Sequence, residues 1–212
     1  MVTDGGDPNL ISNAIKCYDQ KTLLTTASHV AGIVNLAGRV NMLTVFEIQD
    51  RLLGPYSGES EHRAPIFIQL LDGATNHEEF WRIFQTGWSA LDATWQYRTE
   101  LKRLLDRRPS ACNYFDKSDK ASYDRLPELV TVYRGCSFPK IRALSWTTDR
   151  SIAEDFARGH RRIAVPLAVV AQATIPKEAV YTVATGRSES EVVVNWRRLR
   201  QVSFTPFEMV QV

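Results

Sequence analysis

The chain is poor in the features that identify many protein classes at sight. It has three cysteines in 212 residues, Cys17, Cys112 and Cys136, far apart and odd in number. They make no C-x-x-C pair, so neither a zinc site nor a disulfide framework is supported. A reducing compartment is the easier reading. No run approaches 18 apolar residues, so no membrane span is expected. Met1–Asn9 holds two Asp and no apolar core, which is not the make-up of a signal peptide. There is no G-x-G-x-x-G after a strand pattern, so a Rossmann dinucleotide site is not supported. Serine-hydrolase G-x-S-x-G and zinc-protease H-E-x-x-H signatures are also missing. Net charge is only +2, too small to imply nucleic-acid binding by itself. No internal repeat or low-complexity tract occurs.

What is present is an ordinary globular composition, 44% hydrophobic and 24% charged, enough for one good-sized domain with a real core. Residues 1–8 read as a frayed lead-in. From Leu10 to about Leu53 the pattern is mostly helical, up to Gly54-Pro55, a strong stop. Residues 54–65 read as a loop, and Ile66–Leu71 as either a strand or a helical turn. Asn76 reads as an N-cap, with Glu78 and Glu79 in the first turn, where carboxylates suit the helix dipole. Phe80, Phe84, Trp88, Leu91 and Trp95 follow at helical spacing and predict one apolar face. Core packing is the first reading of that stripe and a ligand surface the second. Residues 102–108 read as a solvated helix end, and the polar stretch 113–125 as a surface linker.

The texture changes at Leu126. Leu129–Tyr133 reads as a strand that ends at Arg134-Gly135. A second strand, about 141–147, ends in Ser145-Trp146-Thr147-Thr148, with Trp146 alternating away from Ser145 and Thr147. Asp149 or Ser151 caps a helix over about 152–158. A long β-rich run covers 163–175, interrupted by Pro166. Pro176-Lys177-Glu178 is a turn, and residues 180–187 read as a loop. Val192-Val193-Val194 reads as a buried strand. Glu189 and Glu191 would then be i and i+2 of a strand and project together from its mouth, Cα atoms roughly 6.5–7 Å apart. A solvated strand end carrying two acids is the alternative. Residues 201–212 read as a final strand with Pro206 at an edge or bend.

Three features thus lie in order on successive β elements: Val132-Tyr133-Arg134-Gly135; Leu144-Ser145-Trp146-Thr147-Thr148-Asp149, followed by Ala153 and Phe156; and Ser188-Glu189-Ser190-Glu191-Val192-Val193. The arrangement resembles the arginine–serine–glutamate class of ADP-ribosyltransferases, over about residues 127–212. The resemblance implies an α+β fold: a helical N-terminal portion, residues 1–126, packed on a split β-sheet ADP-ribosyltransferase core, residues 127–212, in the same domain. It also implies NAD as co-substrate, no metal, and a cleft that grips NAD without a Rossmann site.

Roles follow from the resemblance residue by residue. Arg134 would offer a planar cation to the phosphates or the nicotinamide ribose. Gly135 would let the backbone approach the nicotinamide amide. Ser145 and Thr147 would orient the ribose and the catalytic carboxylate. Phe156 would form a nicotinamide platform. Glu191 would hydrogen-bond the ribose 2′-hydroxyl and stabilise developing positive charge, and Glu189 would hold or deprotonate the incoming nucleophile. Tyr181 and Arg187, with Thr182 and Thr185, fall in what the family uses as an acceptor-recognition loop. Read alone, Arg134 also suits a surface ion pair, Ser145 and Thr147 simple strand-end hydrogen bonds, Phe156 the core, and Tyr181 a buried tyrosine.

The implied activity is mono-ADP-ribosyl transfer to a macromolecule with release of nicotinamide. A Glu at the first position of Glu-x-Glu favours a protein arginine acceptor. A nucleic-acid base is the alternative, for which Arg158-Gly159-His160-Arg161-Arg162 and Arg197-Arg198 with Arg200 supply basic clusters. Hydrolysis of NAD and a non-enzymatic binding module are further alternatives. Such enzymes are often bacterial or phage toxins or effectors. They act in the cytoplasm or are delivered into it, and a neutralising antitoxin is a partner the resemblance allows.

Overall fold

Thr44 opens the first helix with a reciprocal cap. Its hydroxyl accepts from the Glu47 amide, and the Glu47 carboxylate accepts from the Thr44 amide at 2.8 Å. The computed structural model describes residues 42–55, 62–92, 94–159, 165–186 and 189–207. All elements below belong to one unit, Leu43–Val212. Helix α1 spans Val45–Leu53 and stops at Gly54, where a Cβ would sit 2.2 Å from the Asp50 carbonyl oxygen. The readings made for residues 1–41 lie outside the described residues. Residues 54–65 are not wholly a loop, because helix α2 already begins at Arg63 and runs to Asp72. Pro65 falls in its first turn, where a missing N–H costs nothing. Ile66–Leu71 is therefore helical.

Asn76 caps helix α3, His77–Gly87, accepting from the Glu79 amide at 2.8 Å. Glu79 is itself buried. Burial alone lifts its carboxyl pKa, but hydrogen bonds from the amide and hydroxyl of Thr75 and the amide of Leu43 outweigh this, and the net shift is downward. The expected single apolar face holds from Phe80 through Phe84 but does not reach Trp95. The α-helix ends at Gly87, Trp88–Ala90 tighten into a 3-10 turn, and helix α4 starts afresh at Arg98 and ends at Leu105. Residues 113–125 are not a plain linker. Asp116 accepts from the amides of Ser118 and Asp119 and caps helix α5, Lys117–Asp124. A cap followed by mixed charge supports a short helix that tertiary contacts then hold.

The remaining elements are β1 Leu129–Ser137, β2 Ser145–Thr147, helix α6 Arg150–Ala157, β3 Ala168–Pro176, β4 Val180–Ala184, β5 Glu191–Val194 and β6 Arg200–Pro206. The fold is α+β, with six α-helices among the described residues and one antiparallel sheet in the order β4-β5-β2-β1-β3-β6. Three expectations change here. Strand β1 does not end at Arg134-Gly135 but continues to Ser137, because β3 pairs with it along its full length, from Leu129↔Pro176 to Ser137↔Ala168. Residues 180–184 are strand rather than loop, because they form the sheet edge against β5. Strand β2 shrinks to three residues and meets β1 at one register pair, Tyr133↔Thr147. The sheet is thus two three-stranded halves joined at a waist one pair wide.

Alternation along β5 divides its contacts. Val193 packs with Phe67, Phe80, Phe84 and Leu101 in a cluster built by the helices, while Val192 and Val194 pack with Val132, Trp146 and Ile175 on the other face. Trp146 does point away from the neighbours that flank it, is 2% exposed and donates its indole N–H to the Ala143 carbonyl. Helix α6, capped by Asp149, lies against β1, with Ala153 and Ala157 buried beside Val170. Gly135 permits that approach: a Cβ there would meet the Ala153 carbonyl oxygen at 1.7 Å and the Ala157 nitrogen at 2.5 Å.

Gly135→Ala is expected to push α6 off the sheet and cost about 3 kcal/mol, the upper part of the usual overpacking range. Gly186→Ala, where a new Cβ meets nothing within 4 Å, is expected to stay within about 0.5 kcal/mol of wild type. Denaturant midpoints of the two variants check this.

Candidate active site

The waist of the sheet is where the singled-out residues meet. Arg134 and Gly135 come from β1, Ser145 and Thr147 from β2, Phe156 from α6, Glu191 from the first position of β5, and Glu189 from the turn before it. All seven line one cleft of about 240 Å³. Trp88, Leu91, Asp92 and Thr94 also line it. Tyr181 does not line this cleft. It sits on β4, half-buried against the helical cluster, and its hydroxyl donates to the Asp106 carboxylate. Burial, and then that carboxylate, push the phenol well above the usual tyrosine range. Arg187 lies outside the described residues.

Arg134 is mid-strand, and its guanidinium ties local chain together. Its Nε donates to the Lys140 carbonyl at 3.2 Å and one Nη to the Ser145 carbonyl, closing the connection between β1 and β2. It also touches the buried Cys136 thiol, whose pKa burial raises and Arg134 partly pulls back. The cation is therefore held in the cleft by its own chain.

Thr147 is the tightest joint of the site. It pairs with Tyr133 on one side and with Glu191 on the other. Its hydroxyl donates to the Glu189 carbonyl at 2.7 Å and accepts from the Asp149 amide at 3.1 Å. The Thr148 amide adds a bond to the Ser190 carbonyl at 3.1 Å. Thr147 thus serves the turn that carries the carboxylates, and its hydroxyl proton is committed to backbone. That differs from the ribose contact the resemblance implies.

Glu189 and Glu191 share the cleft, but not by strand alternation. Glu189 precedes the strand, and Ser190 between them has φ of 47°, the left-handed region that costs a non-glycine residue about 1 kcal/mol or more. The bonds from Thr147 and Thr148 sustain that turn. Gly135, expected at the nicotinamide amide, lines the cleft, while the place a Cβ would take is filled by α6.

Trp88, which the sequence places in the core, is buried there and also lines the cleft. Its indole Nε1 donates to Glu191 Oε1 at 2.9 Å, across 103 positions of chain. A buried indole N–H usually finds an acceptor, but that signal does not single out Trp88, because the buried indole N–H of Trp95 in the same stripe has none among the described residues.

Among the described residues no group of three His, Cys, Asp or Glu is placed to hold a metal ion, and no helix is long and apolar enough to cross a membrane. Of the basic clusters, Arg158 pairs with Asp155 and Arg198 with Glu178, while residues 160–164 lie outside the described residues. Comparison of the chain with family models, curated proteins and solved structures gives no match.

Thr147→Val removes the partner of the Glu189 carbonyl and of the Asp149 amide, both bonds being part-buried, and an expected loss of about 1 kcal/mol follows. Ser145→Ala removes a hydroxyl that carries no such bonds among the described residues and is expected to leave stability within about 0.5 kcal/mol. Thermal melts separate the two. Faster amide exchange at Glu191 in Thr147→Val alone would locate the effect in the turn.

Proposed function

We propose that this chain is an NAD-dependent mono-ADP-ribosyltransferase that moves ADP-ribose from NAD to a macromolecular acceptor and releases nicotinamide. One observation supports the reading: seven residues, nominated through the family resemblance, converge from four elements and one turn on a single cleft at the sheet's waist. At about 240 Å³ the cleft falls just under the size that encloses a drug-sized ligand, roughly 300–1,000 Å³. It suits the nicotinamide–ribose end of NAD, with the rest along the open mouth.

Cleavage breaks the bond between ribose C1′ and the nicotinamide nitrogen, and the electron pair leaves with nicotinamide. The ribose becomes oxocarbenium-like. The Glu191 carboxylate bonds the 2′-hydroxyl and faces that developing positive charge with a fixed negative one. Arg134 holds the phosphates or the ribose with the donors that Lys140 and Ser145 leave over. Phe156 borders the nicotinamide. The acceptor attacks C1′, and its proton passes to Glu189. Thr147 contributes by holding the Glu189-Ser190 turn.

The Glu at position 189 favours a guanidinium acceptor, on the pattern of the family resembled. A second acceptor class has one observation behind it. The Arg98 guanidinium lies 4.1 Å from the Trp95 ring and 5.8 Å from the Trp196 ring, and Arg197 lies 5.2 Å from Trp196. Alternating cations and aromatic rings are what single-stranded nucleic acid stacks on.

Incubation of the protein with labelled NAD and a cell lysate is expected to give macromolecular label that Glu191→Gln abolishes while retaining fold and NAD binding. Glu189→Ala is expected to lose transfer yet keep some NAD cleavage. Label removed by protease but not nuclease assigns a protein acceptor, and the reverse assigns nucleic acid. Free ADP-ribose alone makes the enzyme a hydrolase. Neither product overturns the reading.

A further inference from the structure

Trp88 is held more rigidly than a core residue needs to be. It is 5% exposed. Its ring stacks on Phe84 with centroids 4.9 Å apart and planes 15° from parallel, and meets Phe67 at 6.4 Å and 52°. The backbone beside it has no slack: a Cβ on Gly87 would lie 2.5 Å from Leu52 Cδ1 and 2.8 Å from Phe67 Cε2. The Leu91 amide closes the following turn on the Trp88 carbonyl at 3.2 Å. An indole fixed on every apolar side has one polar atom to place, and an N–H can only donate. That donor meets Glu191 Oε1 at 2.9 Å.

We infer that Trp88 is a positioning residue for Glu191: the helical layer, through one indole N–H, sets the orientation in which the carboxylate enters the cleft. The inference rests on the proposed function for its catalytic meaning, but the contact itself does not. Glu191 lies at the first position of β5, next to a left-handed Ser190. Its backbone is pinned by β2 and β4, Thr147 and Ala184 being its register partners. The side chain beyond Cβ still has its own torsions, and a strand register does not fix those. A donor on a rigid aromatic stack does, because one carboxylate oxygen is engaged at a defined point. Supporting partners of this kind hold a reacting group within the tolerance that chemistry demands. Misplacement by about 1 Å costs on the order of 100-fold in rate. The helical portion is then a working part of the site and not a scaffold beside it.

The test must remove the N–H and keep the ring. Incorporation of 3-benzothienylalanine at position 88 replaces the indole nitrogen by sulfur at nearly constant shape; Trp88→Phe is the simpler companion. With NAD as the substrate, the benzothienyl protein is expected to keep its melting temperature and to hold KM for NAD within about 3-fold, while kcat falls about 10- to 100-fold. A merely structural Trp88 would leave kcat untouched in that isostere, and full kcat would overturn the inference. The second readout needs no turnover. In the 15N-labelled protein the Trp88 indole N–H signal, assigned by its loss in Trp88→Phe, is expected to shift in Glu191→Ala. An unmoved signal refutes the contact. Wild type inactive on NAD with a Glu191-dependent indole signal refutes the proposed function and leaves the positioning of Glu191 standing.

Discussion

Everything near the cleft depends on the side chain and backbone of Thr147. Its backbone is the sole paired position between the two halves of the sheet, facing Tyr133 on β1 and Glu191 on β5. Its hydroxyl bonds Glu189 on one side and Asp149, the cap of α6, on the other. One residue therefore couples the waist of the sheet, the carboxylate turn and the helix that carries Phe156. A sheet paired along all its strands has no gap for a ligand. Here pairing fails on both sides of one position, and the gap that results is the cleft. The Thr147 hydroxyl gives two part-buried backbone groups beside that gap a partner inside the protein.

Helices and sheet are joined by more than apolar contact. Leu144 and Val193 belong to the same buried cluster as the helical aromatics, and hydrophobic packing of this kind sets distance without setting direction. Direction comes from polar bonds across the boundary, two of which lie at and beside the aromatic cluster. Trp88 meets Glu191 at the cleft, and Tyr181 meets Asp106 at the sheet edge. Asp106 shows the cost and its offset: burial raises its pKa, and hydrogen bonds from Lys102 and Tyr181 bring the net shift below the usual value.

Much of this was legible from residue order. Asn76 and Asp149 sit where their capping chemistry says, and the Val192-Val193-Val194 run is buried strand, as β-branched composition predicts. The seven residues nominated through the family resemblance line one cleft. The misreadings share one physical origin. Arg134 was placed at a strand end because Gly135 looked like a stop, yet β3 pairs straight past it. Residues 180–184 looked like loop because nothing local reveals that β5 offers them an edge. Glu189 and Glu191 reach one site through a left-handed Ser190, a conformation whose support lies 40 residues upstream in Thr147 and Thr148. Trp88 is core, as the stripe predicts, but a helical stripe does not record what its polar atom touches. Each miss is a long-range pairing that overrode a local preference.

The bond from Trp88 to Glu191 spans 103 positions, and that distance sets a timetable. Closing a loop of that length costs about 4 kcal/mol of chain entropy before the contact returns anything. The antiparallel sheet order adds further non-local joints, and topologies of this kind fold slowly for their size. The helices can gather around Phe67 and Phe84 while later chain is still being made, but the cleft cannot exist until β5 has inserted between β4 and β2. The contact between the helical aromatic stack and Glu191 therefore belongs to the non-local joints that form last on this topology.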